Sequence, residues 1–264
     1  MDNLVFAQIS QLDTLLNSLL TLKALKQVKV QQRALLEFTS QGCNIHVASY
    51  SQQIIGQASI RPNEFEIYNM NKDKVEIMLD LSELIQALSV FKAFTEASVR
   101  IRYPYKDAFL LLYHEDNACT LQYRLNTLIP EPIPPLELSE KVNAEVECKD
   151  HRLLKQAFDV ACAGRQDAEV FISFSHSKPQ VRFVKDDSFG GLKSQVVLPM
   201  HDSLKVSVHK PSEFHYSAQA LRSIAIPSAS QINFRVFEEG TLELYMQISN
   251  DAWIKHYINP LEVM

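Results

Sequence analysis

Two carboxylates, Glu64 and Glu66, come nearest to a chemical constellation in this chain. Phe65–Tyr68 reads as a strand, and side chains two apart on a strand project from one face. Paired acids on one face are what a two-metal hydrolase of phosphodiesters uses to hold its cations. Such a site needs further carboxylates converging from other elements, and the sequence offers no matching set. Acids on a solvated edge strand account for the pair more simply. The other reactive residues are dispersed. The eight histidines form no His-x-x-x-His pair and show no cysteine partner at metal spacing, so no metal site is expected. Gly190-Gly191 lacks the lysine and helix of a phosphate-binding loop, and no Gly-x-Ser-x-Gly elbow occurs. Cys43, Cys119, Cys148 and Cys162 are scattered, which reads as reduced thiols in a cytosolic or nuclear protein. No catalytic residue and no cofactor is expected.

The elements that would position any site are revealed by a repeat. Val99–Leu128 and Ile232–Leu261 align without a gap. Arg102 falls on Arg235, Leu111 on Leu244, Asn117 on Asn250, Asn126 on Asn259 and Leu128 on Leu261. Each stretch has the turns and apolar alternation of a three-strand meander, so the chain is expected to be a duplicated domain. Between the copies, Leu128–Leu138 carries Pro130, Pro132, Pro134 and Pro135. Four prolines remove backbone donors and fix φ, leaving an extended, semi-rigid connector. The expected division is residues 1–127, connector 128–138, and residues 139–264.

Both halves read as strand, helix, several strands, helix, three strands. The first helix begins at Ser10 or Asp13 and buries Leu12, Leu15, Leu16, Leu19 and Leu22, with Thr14, Asn17 and Thr21 on the opposite side. Asp80 or Ser82 can cap a second helix along Leu81–Phe91, and Asp150 a third along His151–Ala163. A short fourth helix runs through Leu221 and Ile224. The expected class is α+β, with two similar domains each placing two helices on antiparallel sheets.

A net charge of −5 excludes a uniformly basic nucleic-acid binder but not one whose cations share a surface. The cations Lys23, Lys26, Lys92, Arg152, Lys155 and Arg222 lie on helices or at their ends, whereas acids crowd the strands and connector. One positive wall on an acidic body suits contact with phosphates without base reading. Solvated helix faces give the same pattern. No apolar run approaches the ~18 residues of a membrane span, and the first residues lack the basic start and apolar core of a signal peptide.

The repeat, the connector and the closing stretch Asn250–Glu262 (NDAWIKHYINPLE) resemble the sliding DNA clamps of the PCNA superfamily. Leu81–Phe91 (LSELIQALSVF), Ser177–Gly191 (SKPQVRFVKDDSFGG) and the short C-terminus are similar to the Rad-one type of subunit in the DNA-damage checkpoint clamp. That clamp is a heterotrimer completed by Rad-nine and Hus-one types. The resemblance implies a PCNA-like fold in a ring, with helices lining a hole for duplex DNA and sheet edges joining neighbours. It further implies a clamp loader, a nuclear location, and recruitment of checkpoint and repair factors. Arg152, Lys155 and Arg222 would face DNA, with Lys23, Lys26 and Lys92 nearby. Asp13, Thr14 and Leu20 replace or displace cations that replicative clamps carry, which thins the basic lining. Ala118–Leu125, through Cys119, Leu121 and Tyr123, would form one joining edge. Leu192–Leu198, through Ser194, Val196 and Leu198, would form the other. A partner pocket would involve Ala48, Ile55, Leu128, Ile133 and Pro260, with Ala48 in place of a larger apolar residue. The implied role is a non-catalytic clamp subunit. The alternatives are a homotrimeric replicative clamp and a metal-dependent 3′-to-5′ exonuclease, an activity ascribed to some members of the Rad-one family.

Overall fold

The computed structural model describes residues 4–9, 11–23, 32–48, 53–92, 98–106, 108–116, 119–133, 136–163, 168–177, 179–186, 194–224, 226–227 and 231–261. The first half runs β1 (Val5–Ile9), α1 (Leu12–Leu22), β2 (Arg33–Thr39), β3 (Gly42–Ala48), β4 (Ile54–Ile60), a 3-10 turn (Pro62–Glu64), β5 (Ile67–Met70), β6 (Lys74–Asp80) and α2 (Leu81–Lys92). It ends in the meander β7 (Val99–Tyr105), β8 (Phe109–Glu115) and β9 (Thr120–Leu125). The second half runs β10 (Val142–Cys148), α3 (His151–Ala161), β11 (Glu169–Phe174), β12 (Gln180–Asp186), β13 (Ser194–Pro199), β14 (Leu204–Val208), β15 (Ser212–Ser217) and α4 (Ala218–Arg222). Its meander is β16 (Gln231–Phe237), β17 (Leu242–Gln247) and β18 (Ala252–Ile258). Element for element, the order is the same.

Local chemistry sets these elements. In α1 the five leucines at helical spacing are buried against the sheets. Thr21 joins them, contrary to the sequence reading, because its hydroxyl donates to the Asn17 carbonyl at 2.7 Å and so can be buried without loss. Helix α1 has no side-chain cap; Gln11 occupies that place. Asp80 caps α2, its Oδ1 accepting from the Ser82 and Glu83 amides at 2.7 and 3.0 Å. Asp150 caps α3 likewise, through the Arg152 amide at 3.0 Å. The helix ends at Ala161, two residues short of the expected Ala163.

The strands form three antiparallel sheets, ordered β5-β1-β7-β8-β9, β14-β10-β16-β17-β18-β4-β3-β2-β6 and β13-β12-β11-β15. Cutting the nine-stranded sheet between β18 and β4 leaves a five-stranded and a four-stranded piece. These repeat the other two sheets strand for strand, so β9 corresponds to β18 and β13 to β4. The β18–β4 joint is a ladder of seven residue pairs, from Ala252–Ile60 to Ile258–Ile54. Helix α1 lies across it, packing on both strands and on α2. Gly56 makes room there, since a Cβ would stand 2.7 Å from Leu22 Cδ2. Helix α3 packs on β12, β13 and α4.

The repeat is not gapless. Ile101 pairs with Leu112 and its counterpart Phe234 with Leu244, so Leu244 matches Leu112 rather than Leu111. The β7–β8 turn holds one residue more than the β16–β17 turn, with a register shift after Arg102 and left-handed Lys106 and Ala108. Gly240 makes the tighter turn at φ 89°. The β17–β18 turn restores the residue. Because strand side chains alternate between faces, the one-residue slip puts Leu110 and Leu112 in the core cluster and leaves the equally buried Leu111 on the other face.

Candidate nucleic-acid and subunit interfaces

Glu64 and Glu66 do not share a strand face. Pro62 opens a 3-10 turn that ends at Glu64, and β5 begins only at Ile67. Glu64 accepts from the Ser249 hydroxyl. Glu66 accepts from Gln8 Nε2 at 2.5 Å, while its amide donates to the Gln8 carbonyl. Each carboxylate ties its loop to a neighbouring element, and no convergent metal-binding group includes either among the described residues. The expected absence of a cysteine partner for histidine fails at another place. His114, Asp116 and Cys119 bring their ligand atoms within 4.8 Å of one another at the β8–β9 turn.

The cations assigned to DNA are less free than the sequence implies. Lys92 at the end of α2 lies 2.5 Å from Asp13 of α1. Asp13 therefore neutralises a cation of the neighbouring helix. Arg152 reaches back to its own cap residue, with Nε 3.1 Å and Nη2 3.3 Å from the Asp150 carboxylate. That hydrogen-bonded guanidinium holds the Asp150 carboxyl below its ordinary range. Arg222 donates to the Cys162 carbonyl just past α3, and buried Lys185 donates to that of Ala163. Both cations cap the negative end of α3. Among the described residues, Lys23 and Lys155 carry no ion pair; Lys26 lies outside them. Leu20, Val90 and Val160 add exposed apolar positions to three of the helices.

Both strands expected at joining edges are sheet borders, β9 ending the five-stranded sheet and β13 the four-stranded one. Leu121, Tyr123 and Val196 are half-buried against the core, and Leu198 is buried. The buried Ser194 hydroxyl has no hydrogen-bond partner among the described residues. Cys119 precedes β9 rather than lying in it. The other borders are managed differently. Strands β5 and β14 are short, with four and five residues. The Leu128 amide donates to the Met78 carbonyl of β6 (2.7 Å), and the Leu261 amide to the His215 carbonyl of β15 (2.8 Å). Leu128 and Leu261 are repeat counterparts, so the same residue type docks at the same border in each half.

The five pocket residues are spread over one end of the large sheet. Ala48 and Ile55 are cross-strand partners, and Asn259, next to Pro260, donates its amide to the Gln53 carbonyl at 2.9 Å. Leu128 lies at β6, three strands from β4, about 14 Å away at ordinary strand spacing. Between them Glu131 pairs with Arg33 of β2 at 3.1 Å, drawing the connector toward the half-buried Ile133. Leu35 and Met78, which the sequence reading passed over, are cross-strand partners on the sheet face opposite the helices and are nevertheless buried. Their signal was an unbroken apolar triplet in each strand, Ala34-Leu35-Leu36 and Ile77-Met78-Leu79, where one-sided burial gives alternation.

A family model described as "Repair protein Rad1/Rec1/Rad17" matches residues 6–248. No curated protein matches the chain. Among solved structures, the crystal structure of Proliferating Cellular Nuclear Antigen from Entamoeba histolytica is similar to it with a TM-score of 0.80. That likeness covers 99% of this chain and 100% of the other at 14% identity, and it establishes a sliding-clamp fold.

Proposed function

The chain belongs to the Rad1/Rec1/Rad17 family of repair proteins, and from that membership we propose that it is a non-catalytic subunit of a ring-shaped clamp that encircles duplex DNA in the damage checkpoint. The observation that carries this reading is the β18–β4 joint. The chain already pairs these strands within itself, and it holds a second copy of each, β9 and β13, at open borders. A like-folded neighbour supplies what each border lacks.

The internal joint supports a particular register. Ile254 faces Ala58, His256 faces Gly56 and Ala252 faces Ile60. Leu121, Tyr123 and Cys119 are the repeat counterparts of Ile254, His256 and Ala252. Val196 stands opposite Phe183 as Ala58 stands opposite Ile45, which makes Val196, Ser194 and Leu198 the counterparts of Ala58, Gly56 and Ile60. The β9 edge thus presents Cys119, Leu121 and Tyr123 toward a neighbour's version of Leu198, Val196 and Ser194. Closing the ladder covers half-buried apolar surface and removes two unpaired strand edges.

In the ring, the outer faces of the helices turn toward DNA. With Lys92 and Arg152 held by carboxylates, Lys155 and Lys23 carry much of the attraction to phosphate. The grip is weak and independent of sequence, as sliding requires. The neighbours are clamp subunits of the Rad-nine and Hus-one types, a clamp loader opens the ring, and the site of action is the nucleus. The connector region and the end of β18 form the platform for checkpoint and repair factors.

Co-expression with the two other subunit types, followed by sizing and negative-stain electron microscopy, tests the reading. A monomer alone and a ring in the mixture are expected. A stable trimer of the chain alone would instead indicate a replicative clamp, and no ring in any mixture would overturn the proposal.

A further inference from the structure

The β8–β9 turn is closed by reciprocal bonds. The Asp116 amide donates to the Cys119 carbonyl at 3.0 Å, and the Cys119 amide donates to Asp116 Oδ1 at 2.7 Å. This fold of the turn sets Asp116 Oδ2 3.3 Å from His114 Nε2. On the other side of the ring, His114 Nδ1 lies 3.0 Å from the Ser98 carbonyl. A carbonyl only accepts, so the ring hydrogen is assigned to Nδ1 and an Nε2 lone pair faces the carboxylate. A second ring proton, or a cation placed between them, would be held by both groups.

Cys119 favours the cation. Its sulfur completes a triangle in which every ligand atom is within 4.8 Å of the others. Asp116 is exposed and Cys119 half-buried, so both side chains have room to turn toward a shared ion, which zinc would bind at about 2.0–2.3 Å. Imidazole nitrogen with thiolate sulfur suits zinc and its neighbours, whereas magnesium and calcium prefer oxygen alone. The Nδ1–H bond to a backbone carbonyl is the outer contact that orients metal-binding imidazoles. The ring is buried and therefore held, and among the four cysteines Cys119 alone is not buried.

We propose that His114, Asp116 and Cys119 form a three-ligand site for a divalent transition cation of the zinc type, with a fourth position open to water or to an incoming donor. On binding, the thiol proton leaves to solvent and the cation takes its place. Cys119 directly precedes β9, so an occupied site anchors the start of that open border strand. The site itself stands independently of the ring assignment.

The test is titration of the full chain with Co²⁺, then with Zn²⁺. One cobalt per chain is expected, with the d–d bands of a tetrahedral ion and a thiolate-to-cobalt charge-transfer band, all removed by zinc. Cys119→Ser abolishes the charge-transfer band and weakens binding by about tenfold or more. Asp116→Asn weakens binding comparably but keeps the band, and circular dichroism verifies that each variant is folded. Absence of stoichiometric binding by the wild-type chain, or a charge-transfer band that survives Cys119→Ser, overturns the proposal.

Discussion

Acidification is expected to weaken this fold through one residue at the joint between its halves. His256 of β18 lies between Leu244 of β17 and Gly56 of β4, and only 3% of it is exposed. Its Nε2 finds no hydrogen-bond partner among the described residues, and Leu22 of α1 closes over Gly56 beside it. Burial disfavours the imidazolium and pushes the pKa from 6.5 down to about 4. The depressed value fixes the sign. Above pH 6.5 the ring is neutral in both folded and unfolded chains, and its contribution is fully retained. Below that, the unfolded chain takes up a proton that the folded chain resists until about pH 4. Linkage over this interval gives a loss of about 2 kcal/mol by pH 5 and about 3 kcal/mol by pH 4. Urea unfolding at pH 7.5 and pH 5.0 measures it, in the wild type and in His256→Leu. Glu37, Asp150 and Glu238, whose carboxyls are also shifted, titrate in both proteins and cancel in the difference. The variant should lose about 2 kcal/mol less than the wild type on acidification. Equal losses in the two proteins would refute the argument.

Other consequences are as specific. Asp150→Ala removes the cap of α3 and should lower stability by about 1 kcal/mol in urea unfolding. Asp13→Asn releases Lys92, so DNA binding by the assembled clamp should tighten and its log–log salt slope steepen by about one unit; Lys155→Glu should do the reverse. Both effects are read by fluorescence anisotropy across a salt series. Glu64→Gln and Glu66→Gln should leave any background nuclease activity of a preparation unchanged, since each carboxylate serves a loop contact.

Much of the architecture is legible in the chain because local rules and global fold agree. Strands β4, β10 and β14 fall where apolar alternation puts them, and Asp80 and Asp150 cap the helices that follow. The repeat exposes the duplication, but not the one-residue slip of its middle strand, because Leu110, Leu111 and Leu112 are interchangeable letters on opposite faces. Pairing between β18 and β4 could not be read at all. Residues 61–251 separate the two strands, and nothing local records their register. Opposed charges on different helices are equally hidden, because spacing along the chain does not place Lys92 beside Asp13. At Glu64 the signal was present but outweighed: Pro62 marks a turn start, and a strand reading through Phe65 ignores it. The spacing His114-x-Asp116-x-x-Cys119 was also visible, but such a set becomes a cluster only when a turn folds it back.

Amide hydrogen exchange in the chain alone and in the assembled ring addresses the central claim, that β9 and β13 are open copies of strands the chain already pairs. Residues 120–125 and 194–199 should exchange readily in the isolated chain and become strongly protected on assembly, while the β18–β4 ladder stays protected in both states. Protection appearing instead at β5 or β14, with β9 and β13 unchanged, would contradict the account.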